Sequence, residues 1–184
     1  SVSPGAPMGV NTERDEIVFF PLLYWPVLAE APLPSPAAVA KMDAYMKNGG
    51  TIFFDLRDDT IGFESLSGGP SASTHALQRM LEKLDIPPLE PVPDSHVLTK
   101  AFYLMREFPG RYAAGQLWVE RGDNQAASSS NGDGVSAIII GANDYAAAWA
   151  LDGNGNPLYA VIPGINHQRE MAFRTGINIV MYSL

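Results

Sequence analysis

The sequence predicts an α/β protein in which a mostly parallel sheet is flanked by helices. Two apolar runs, at 17–24 and 51–54, are separated by a segment with helical periodicity, which is the order of a strand–helix–strand unit. The second run ends in a cluster of charged residues that begins at Asp55. Because ligands bind at the carboxyl edge of open α/β sheets, we expect a functional site at this edge.

The first strand is predicted at 17–24, a continuous apolar run typical of a strand that is covered on both faces. Pro21 lies inside the run, so it either ends the regular pairing or marks a sheet edge. A helix is predicted at 36–48, because Ser35 is a good cap and a proline follows it. Gly49 is expected to end this helix in a left-handed conformation, shortly before the second strand.

The rest of the chain alternates between turn-rich segments and shorter apolar segments. The sequence DGNGN at 152–156 is a strong turn signal, and it predicts an antiparallel hairpin appended to the sheet. The other predicted elements are a helix at 75–84, an extended connector at 87–93, strands at 116–120 and 135–140, hairpin strands at 145–151 and 157–162, and loops at 1–14, 62–73 and 123–134, the last expected to be mobile.

A final helix is predicted at 167–182. Its apolar residues recur at helical spacing, which predicts that they form the buried face of the helix. Gly176 is expected to allow close packing against a neighbour. The residues assigned to the buried face are Phe173, Ile177, Val180, Met181 and Leu184.

Composition excludes several classes of function. The chain has 184 residues, of which 46% are hydrophobic and 17% charged, and this suits one globular domain. A net charge of −8 argues against a nucleic-acid partner, which would need a basic patch. The absence of cysteine excludes disulfides, thiolate zinc sites and cysteine nucleophiles. No apolar run reaches transmembrane length, so we expect no direct membrane insertion by this chain.

The strongest candidate for a site is the charged cluster after the second strand, which contains Asp55, Arg57 and Asp58. A carboxylate at the end of a buried strand can hold a metal, act as a base or bind a ligand hydroxyl. The alternative is that Asp55 caps the following loop while Asp58 and Asp59 are solvated. A phosphatase-type pair of aspartates would need an acid at position 57, so Arg57 excludes that motif.

A second acidic residue, Asp144, follows the strand predicted at 135–140. It is expected at the same edge as Asp55, where it would share a polar pocket with neighbouring aromatic and basic side chains. The alternative is that Asp144 caps a turn while Trp149 fills the core. Trp25 is a further candidate for the pocket, and the predicted ligand-binding residues are Tyr24, Asp55, Arg57, Asp58 and Asp144.

Other catalytic signatures are missing from the sequence. The three histidines are far apart and have no helical metal spacing, and no serine nucleophile elbow is present. The segment at 152–156 departs from a calcium loop, because Pro157 and Pro163 stand at two essential positions. We therefore expect no metal and no cofactor.

Four segments in order resemble one family, the bacterial domain of unknown function 4159. They are the helix–Gly–Gly–strand–Asp block at 45–55, DSHVLTKAFY at 94–103, GAND at 141–144 and GINIVMY at 176–182. The family is similar to class I glutamine amidotransferase-like and ThuA-like domains, which implies a flavodoxin-like sheet. The resemblance covers nearly the whole chain, but the amidotransferase nucleophile is a cysteine and this chain has none.

The resemblance also implies a cellular context. Members often form the carboxyl-terminal part of membrane-anchored bacterial proteins whose amino-terminal region resembles aerotolerance regulators. This implies that the chain is a piece of such a protein, attached to the inner membrane through the parent and favouring the periplasmic side. It also implies that the family's first strand and helix precede Ser1, so that one sheet edge is left open.

These observations favour a non-catalytic amidotransferase-like module that binds a small ligand or a partner domain of the parent protein. The main rival is a hydrolase that uses Asp55 and Asp144 as metal ligands or as an acid–base pair on a carbohydrate or an amide. A third hypothesis is a structural domain that assembles the parent protein through an exposed apolar face.

Overall fold

The structure is a computed structural model that describes residues 8–57, 71–121, 135–165 and 167–184. In this part of the chain the elements are β1 Leu22–Pro26, α1 Pro36–Lys47, β2 Thr51–Asp55, α2 Ala72–Leu81, β3 Leu89–Pro91, a short 3₁₀ helix Val97–Lys100, β4 Trp118–Glu120, β5 Ile138–Gly141, α3 Tyr145–Trp149 and α4 Gln168–Tyr182.

The five strands form one mixed sheet in the order β1–β2–β5–β4–β3. Strands β1, β2 and β5 are parallel, whereas β4 is antiparallel to both β5 and β3. The predicted α/β class, with a sheet that is mostly parallel at its centre and flanked by helices, is confirmed. In the parallel part Asp55 lies opposite Pro26 on one side and Gly141 on the other, so the carboxyl ends of three strands meet at one edge.

The strand–helix–strand unit at the start of the chain agrees with the sequence prediction. Ser35 caps α1 by accepting a 3.1 Å hydrogen bond from the backbone N–H of Ala38. Gly49 ends the helix with a φ of 95°, a conformation that favours glycine. Gly50 is required for a different reason, because a Cβ at this position would clash with the ring of Tyr45. The double glycine therefore combines one conformational and one steric requirement.

The first strand is shorter than predicted and shifted along the chain. β1 begins at Leu22, after Pro21, whose carbonyl accepts a 3.1 Å hydrogen bond from Thr51 N–H. The preceding residues form turns, although Ile17 is buried in the core. Pro21 thus separates the turns from the strand, which is consistent with the missing N–H of proline. β1 also lies at the edge of the described sheet.

Two further boundaries differ from the prediction. Helix α2 begins at Ala72 rather than His75, because Ser71 caps it through the backbone N–H of Thr74. The segment predicted as an extended connector contains the short strand β3. The predicted loops at 62–73 and 123–134 lie outside the described residues, apart from 71–73 at the start of α2.

The hairpin strands predicted at 145–151 and 157–162 are both wrong, since residues 157–162 form no strand and make only isolated bridges at Pro157 and Ile162. Residues 145–149 form the helix α3, since their alanines favour a helix and Tyr145 N–H is held by Asp55. The turn itself is present, because Asp152 accepts hydrogen bonds from the backbone of Asn154 and Asn156. Only one antiparallel bridge, between Leu151 and Pro157, flanks it, and the antiparallel part of the sheet is made by β3 and β4 instead.

Apolar side chains pack on both faces of the sheet. On one face Met42 of α1 and Leu77 of α2 cover Ile52 and Phe54. On the opposite face Phe53 packs in a second cluster with residues of β4, β5 and α4. Strand β2 is therefore buried on both sides, which explains its unbroken apolar sequence.

The predicted orientation of the last helix is also wrong. The side chains assigned to its buried face are exposed, with fractions from 37% for Phe173 to 81% for Leu184. The opposite side carries the buried polar residues Gln168, Thr175 and Asn178. Close packing at Gly176 is confirmed, because a Cβ there would lie 2.9 Å from the Trp149 ring. The helical period identifies a stripe but does not determine whether that stripe or the opposite one faces the sheet.

The buried polar face of α4 binds the backbone of neighbouring loops. The side-chain oxygen of Asn178 accepts a 2.8 Å bond from Tyr103 N–H, and its amide group donates to the carbonyls of Leu98 and Tyr103. Gln168 donates to the carbonyls of Gly110, Arg111 and Ile162. These loops would otherwise have unpaired buried backbone groups, which explains why α4 turns its polar side inward.

We predict that Asn178→Asp lowers the free energy of unfolding by about 3 kcal/mol, because a carboxylate oxygen would then face two carbonyl oxygens in a buried site. Urea unfolding at neutral pH measures this change. Asn48→Asp is the matched control, since Asn48 lies exposed at the end of α1 and its replacement should cost about 1 kcal/mol or less. Equal losses in the two variants would contradict the proposed function of the Asn178 contacts.

Candidate functional site

The carboxylate of Asp55 joins the carboxyl ends of three strands. The residue ends β2 and is completely buried. Its Oδ1 accepts hydrogen bonds from the backbone N–H groups of Arg57, at 3.1 Å, and Asp144, at 3.2 Å. Its Oδ2 accepts from the Tyr24 hydroxyl, at 2.6 Å, and from Tyr145 N–H, at 2.7 Å. Since a carboxylate offers about four acceptor positions, protein donors occupy all of them.

Burial and hydrogen bonding act in opposite directions on this carboxylate. Burial raises the pKa of Asp55, while the bonds from Tyr24, Tyr145 and Arg57 favour the ionised form and oppose that shift. Burial, together with the nearby negative charge of Asp55, raises the pKa of Tyr24 far above its ordinary range. Tyr24 therefore keeps its proton and acts as a hydrogen-bond donor to Asp55.

Two residues bonded to Asp55 have unusual backbone conformations. Arg57 has a φ of 54° and Asp144 a φ of 49°, which are left-handed values for residues with a side chain. Such conformations cost free energy and cluster at functional sites. Here they turn the chain sharply after β2 and after β5, so that Arg57 and Asp144 lie side by side.

The side chain of Asp144 is paired with two arginines. It is only 4% exposed, and its Oδ1 and Oδ2 accept bonds from Arg57 Nε, at 3.1 Å, and from Arg111 Nη1, at 3.3 Å. The alternative of a turn cap applies to the position of Asp144 immediately before α3, but its side chain makes no capping bond there. The side chains of Arg57 and Arg111 are 43% and 29% exposed, respectively, so both reach the surface while the acid lies beneath them.

Arg111 was missed by sequence reasoning. Its backbone N–H lies 3.4 Å from the carbonyl oxygen of Asp144, and its Nε donates to the carbonyl of Ala160. Its guanidinium carbon lies 5.3 Å and 5.6 Å from the ring centroids of Tyr112 and Tyr159. The Pro-Gly pair before Arg111 signals a turn, but no local pattern connects it with an aspartate 33 residues away.

Asn143 positions the loop that carries Arg111. Its amide group donates to the carbonyls of Phe108 and Gly115, and its oxygen accepts from Gly115 N–H. Gly110 and Gly115 both approach Asn143 so closely that a Cβ at either position would clash with it. The loop and the end of β5 are therefore held together through one buried amide side chain.

Four of the five predicted site residues meet at this edge. Tyr24, Asp55, Arg57 and Asp144 are connected by the bonds described above, whereas Asp58 lies outside the described residues. Whether these residues bind a ligand remains a prediction.

Trp25, the tryptophan predicted for the pocket, lies elsewhere, whereas Trp149 packs against the core. Trp25 packs against Phe54 on the opposite face of the sheet, with ring centroids 6.1 Å apart. Trp149 packs beside Tyr24 and Tyr145, at 5.9 Å from each, and donates its Nε1–H to the carbonyl of Ala172. Trp149 thus joins α3 to α4 behind the site.

Among the described residues, no group of three or more His, Cys, Asp or Glu side chains could hold a metal ion. Within those ranges no helix is long and apolar enough to cross a membrane.

The fold and the site together define an α/β protein with a buried aspartate clamp and an arginine–aspartate cluster at the carboxyl edge of its sheet. Residues 1–184 match the family described as Domain of unknown function (DUF4159), so the chain belongs to this family. No curated protein matches the chain. The family description names no reaction, ligand or partner.

We predict that Asp55→Asn lowers the free energy of unfolding by about 3 kcal/mol. An amide nitrogen would replace one carboxylate oxygen. It would face two donors whose hydrogen bonds it cannot accept. Urea unfolding monitored by tryptophan fluorescence measures the change. Asp85→Asn is the control, because the Asp85 side chain is 90% exposed and its change should be within about 0.5 kcal/mol. An Asp55→Asn protein as stable as the control would show that the clamp does not support the edge.

Proposed function

We propose that the chain is a non-catalytic module that binds a small ligand at the edge formed by Tyr24, Arg57, Arg111 and Asp144. The observation that carries this proposal is the arrangement around Asp55. One buried carboxylate holds Arg57 and Asp144 in left-handed conformations, and Asp144 in turn orients two partly exposed arginines. Binding sites are built in this way, from groups fixed before the ligand arrives.

The position of the cluster supports a binding function. It lies at the carboxyl ends of β2 and β5, the edge that ligands use in open α/β sheets. The bonds from Asn143 and Gln168 order the loop that brings Arg111 to this edge. A purely structural ion pair would not require two residues with unfavourable backbone conformations.

The hydrolase hypothesis has less support from this geometry. A general base or a metal ligand needs an acceptor position that is open to substrate or metal. All acceptor positions of Asp55 are used by protein donors, and Asp144 is neutralised by two guanidinium groups. In this proposal Asp55 therefore positions the site without touching the ligand.

The wider context belongs to the same proposal. A sheet with a parallel centre is compatible with a flavodoxin-like, amidotransferase-like domain, and the missing cysteine is compatible with a loss of that chemistry. We propose that the module belongs to a membrane-attached bacterial protein and that other domains of the parent are further candidates for binding at this edge.

A fragment screen followed by amide chemical-shift mapping tests the proposal. Fragments that bind should shift the amide resonances around Arg57, Arg111 and Asp144. The substitution Asp144→Ala should weaken the affinity of these fragments by about tenfold, equivalent to about 1.4 kcal/mol. Asp85→Ala is the control for a lost surface charge and should leave the affinities unchanged.

Two results would contradict the proposal. The first is that fragments bind the Asp144→Ala variant and the unsubstituted chain with equal affinity and shift amides elsewhere, which would exclude this edge as the binding site. An increase in melting temperature with Mg²⁺ or Mn²⁺ that depends on Asp144 would instead favour the metal-dependent hydrolase.

A further inference from the structure

We propose that the ligand of this edge is a carboxylate attached to an apolar or aromatic body. This inference rests on the proposed binding function and adds the chemical class of the ligand. The two arginines would bind the carboxylate, and the segment 158–162 would contact the body.

The charges at this edge differ in their depth below the surface. Asp55 is completely buried and the Asp144 side chain is 4% exposed, whereas the side chains of Arg57 and Arg111 are 43% and 29% exposed. A molecule that approaches this edge therefore meets hydrogen-bond donors with positive charge and no exposed acid among these four side chains. Such a surface selects an anion.

Both arginines have N–H donors that no other described residue uses. A guanidinium has five N–H groups, but Arg57 uses its Nε, and Arg111 its Nε and Nη1, in side-chain bonds. Among the described residues no hydrogen bond engages either Nη atom of Arg57 or Nη2 of Arg111. Because Asp144 already orders both side chains, an incoming anion pays little of the entropy of immobilising them.

The charge of the cluster favours a carboxylate over a phosphate. The two buried acids balance the two arginines in formal charge, so the cluster as a whole is neutral. A monoanion adds one negative charge to this cluster, whereas a phosphate dianion adds two, close to two buried carboxylates.

A segment with exposed apolar side chains lies beside Arg111 and suits the apolar part of the ligand. The segment 158–162 contacts Arg111 directly, since Ala160 accepts from its Nε and Ile162 N–H donates to its carbonyl at 2.7 Å. In this segment Leu158, Tyr159 and Ile162 are exposed. The segment is ordered from α4, because Arg169 donates to the Tyr159 carbonyl and Gln168 to that of Ile162. Exposed apolar side chains beside fixed donors suit a ligand with an acid at one end.

Titration of the labelled chain with 3-phenylpropionate, followed by amide chemical shifts, tests the inference. Binding should shift amides at Arg111, Asp144 and Tyr159. Arg111→Gln and Arg57→Gln should each weaken it by about tenfold. Arg121→Gln is the matched control, because Arg121 is 55% exposed and pairs with Glu90 through a long 3.8 Å contact. The dispersion of the amide spectrum verifies that each variant is folded. If Arg111→Gln is not folded, Arg57→Gln provides the test.

Three comparison probes separate the parts of the inference. Acetate lacks the apolar body and 3-phenylpropionamide lacks the charge, so each should bind about tenfold more weakly than the acid or worse. Inorganic phosphate should also bind more weakly. Three results would overturn the assignment of a carboxylate ligand. They are equal affinities for the amide and the acid, a higher affinity for phosphate than for the acid, and an affinity that neither arginine substitution changes.

The outcomes also separate this inference from the proposed function. Fragments that bind in an Asp144-dependent way while 3-phenylpropionate fails to bind would refute the ligand class and retain the binding module. Failure of every probe and every fragment to shift the amides of this edge would refute both.

Discussion

The architecture of the carboxyl edge of the sheet depends on one buried carboxylate. Asp55 lies at the point where three parallel strands end, and each strand end has donors that lose their partners when the regular ladder stops. The carboxylate accepts the N–H groups that follow β2 and β5 and the hydroxyl of Tyr24 from β1. Burying this charge is costly, and the four donors offset that cost. The sharp backbone turns at Arg57 and Asp144 exist because this network holds them.

A second layer of buried polar groups extends the same principle to the loops. Asn143 fixes the segment that carries Arg111, while Gln168 and Asn178 of α4 bind the carbonyls of loops on the same side of the sheet. These contacts exchange apolar packing for hydrogen bonds to irregular backbone, and they leave an apolar stripe of α4 exposed. Ordered loops are what bring a distant arginine within 3.3 Å of Asp144. This edge is therefore a product of buried polar side chains as much as of the sheet.

Much of the fold could be predicted because its signals are local. The cap at Ser35, the double glycine and the apolar run of β2 each depend on neighbours in the chain, and all three are confirmed. Predictions failed where two local patterns compete. The segment 145–149 has a turn signal after it but helix-favouring alanines within it, and the contact with Asp55 decides for the helix. The last helix has an apolar stripe and a polar stripe, and only its neighbours decide which one is buried.

The sequence by itself determined the α/β class, the central strand–helix–strand unit and the edge at which Asp55 and Asp144 lie, because apolar periodicity, caps and glycines act over a few residues. The tertiary structure alone decided that Asp55 is saturated by protein donors, that Arg111 joins Asp144, and that α4 faces the loops with its polar side. These features depend mostly on hydrogen bonds between residues far apart in the chain, from 31 positions for Tyr24 and Asp55 to 90 for Tyr145 and Asp55. Such bonds form only after the strands have placed their ends together, so no local pattern of residues encodes them.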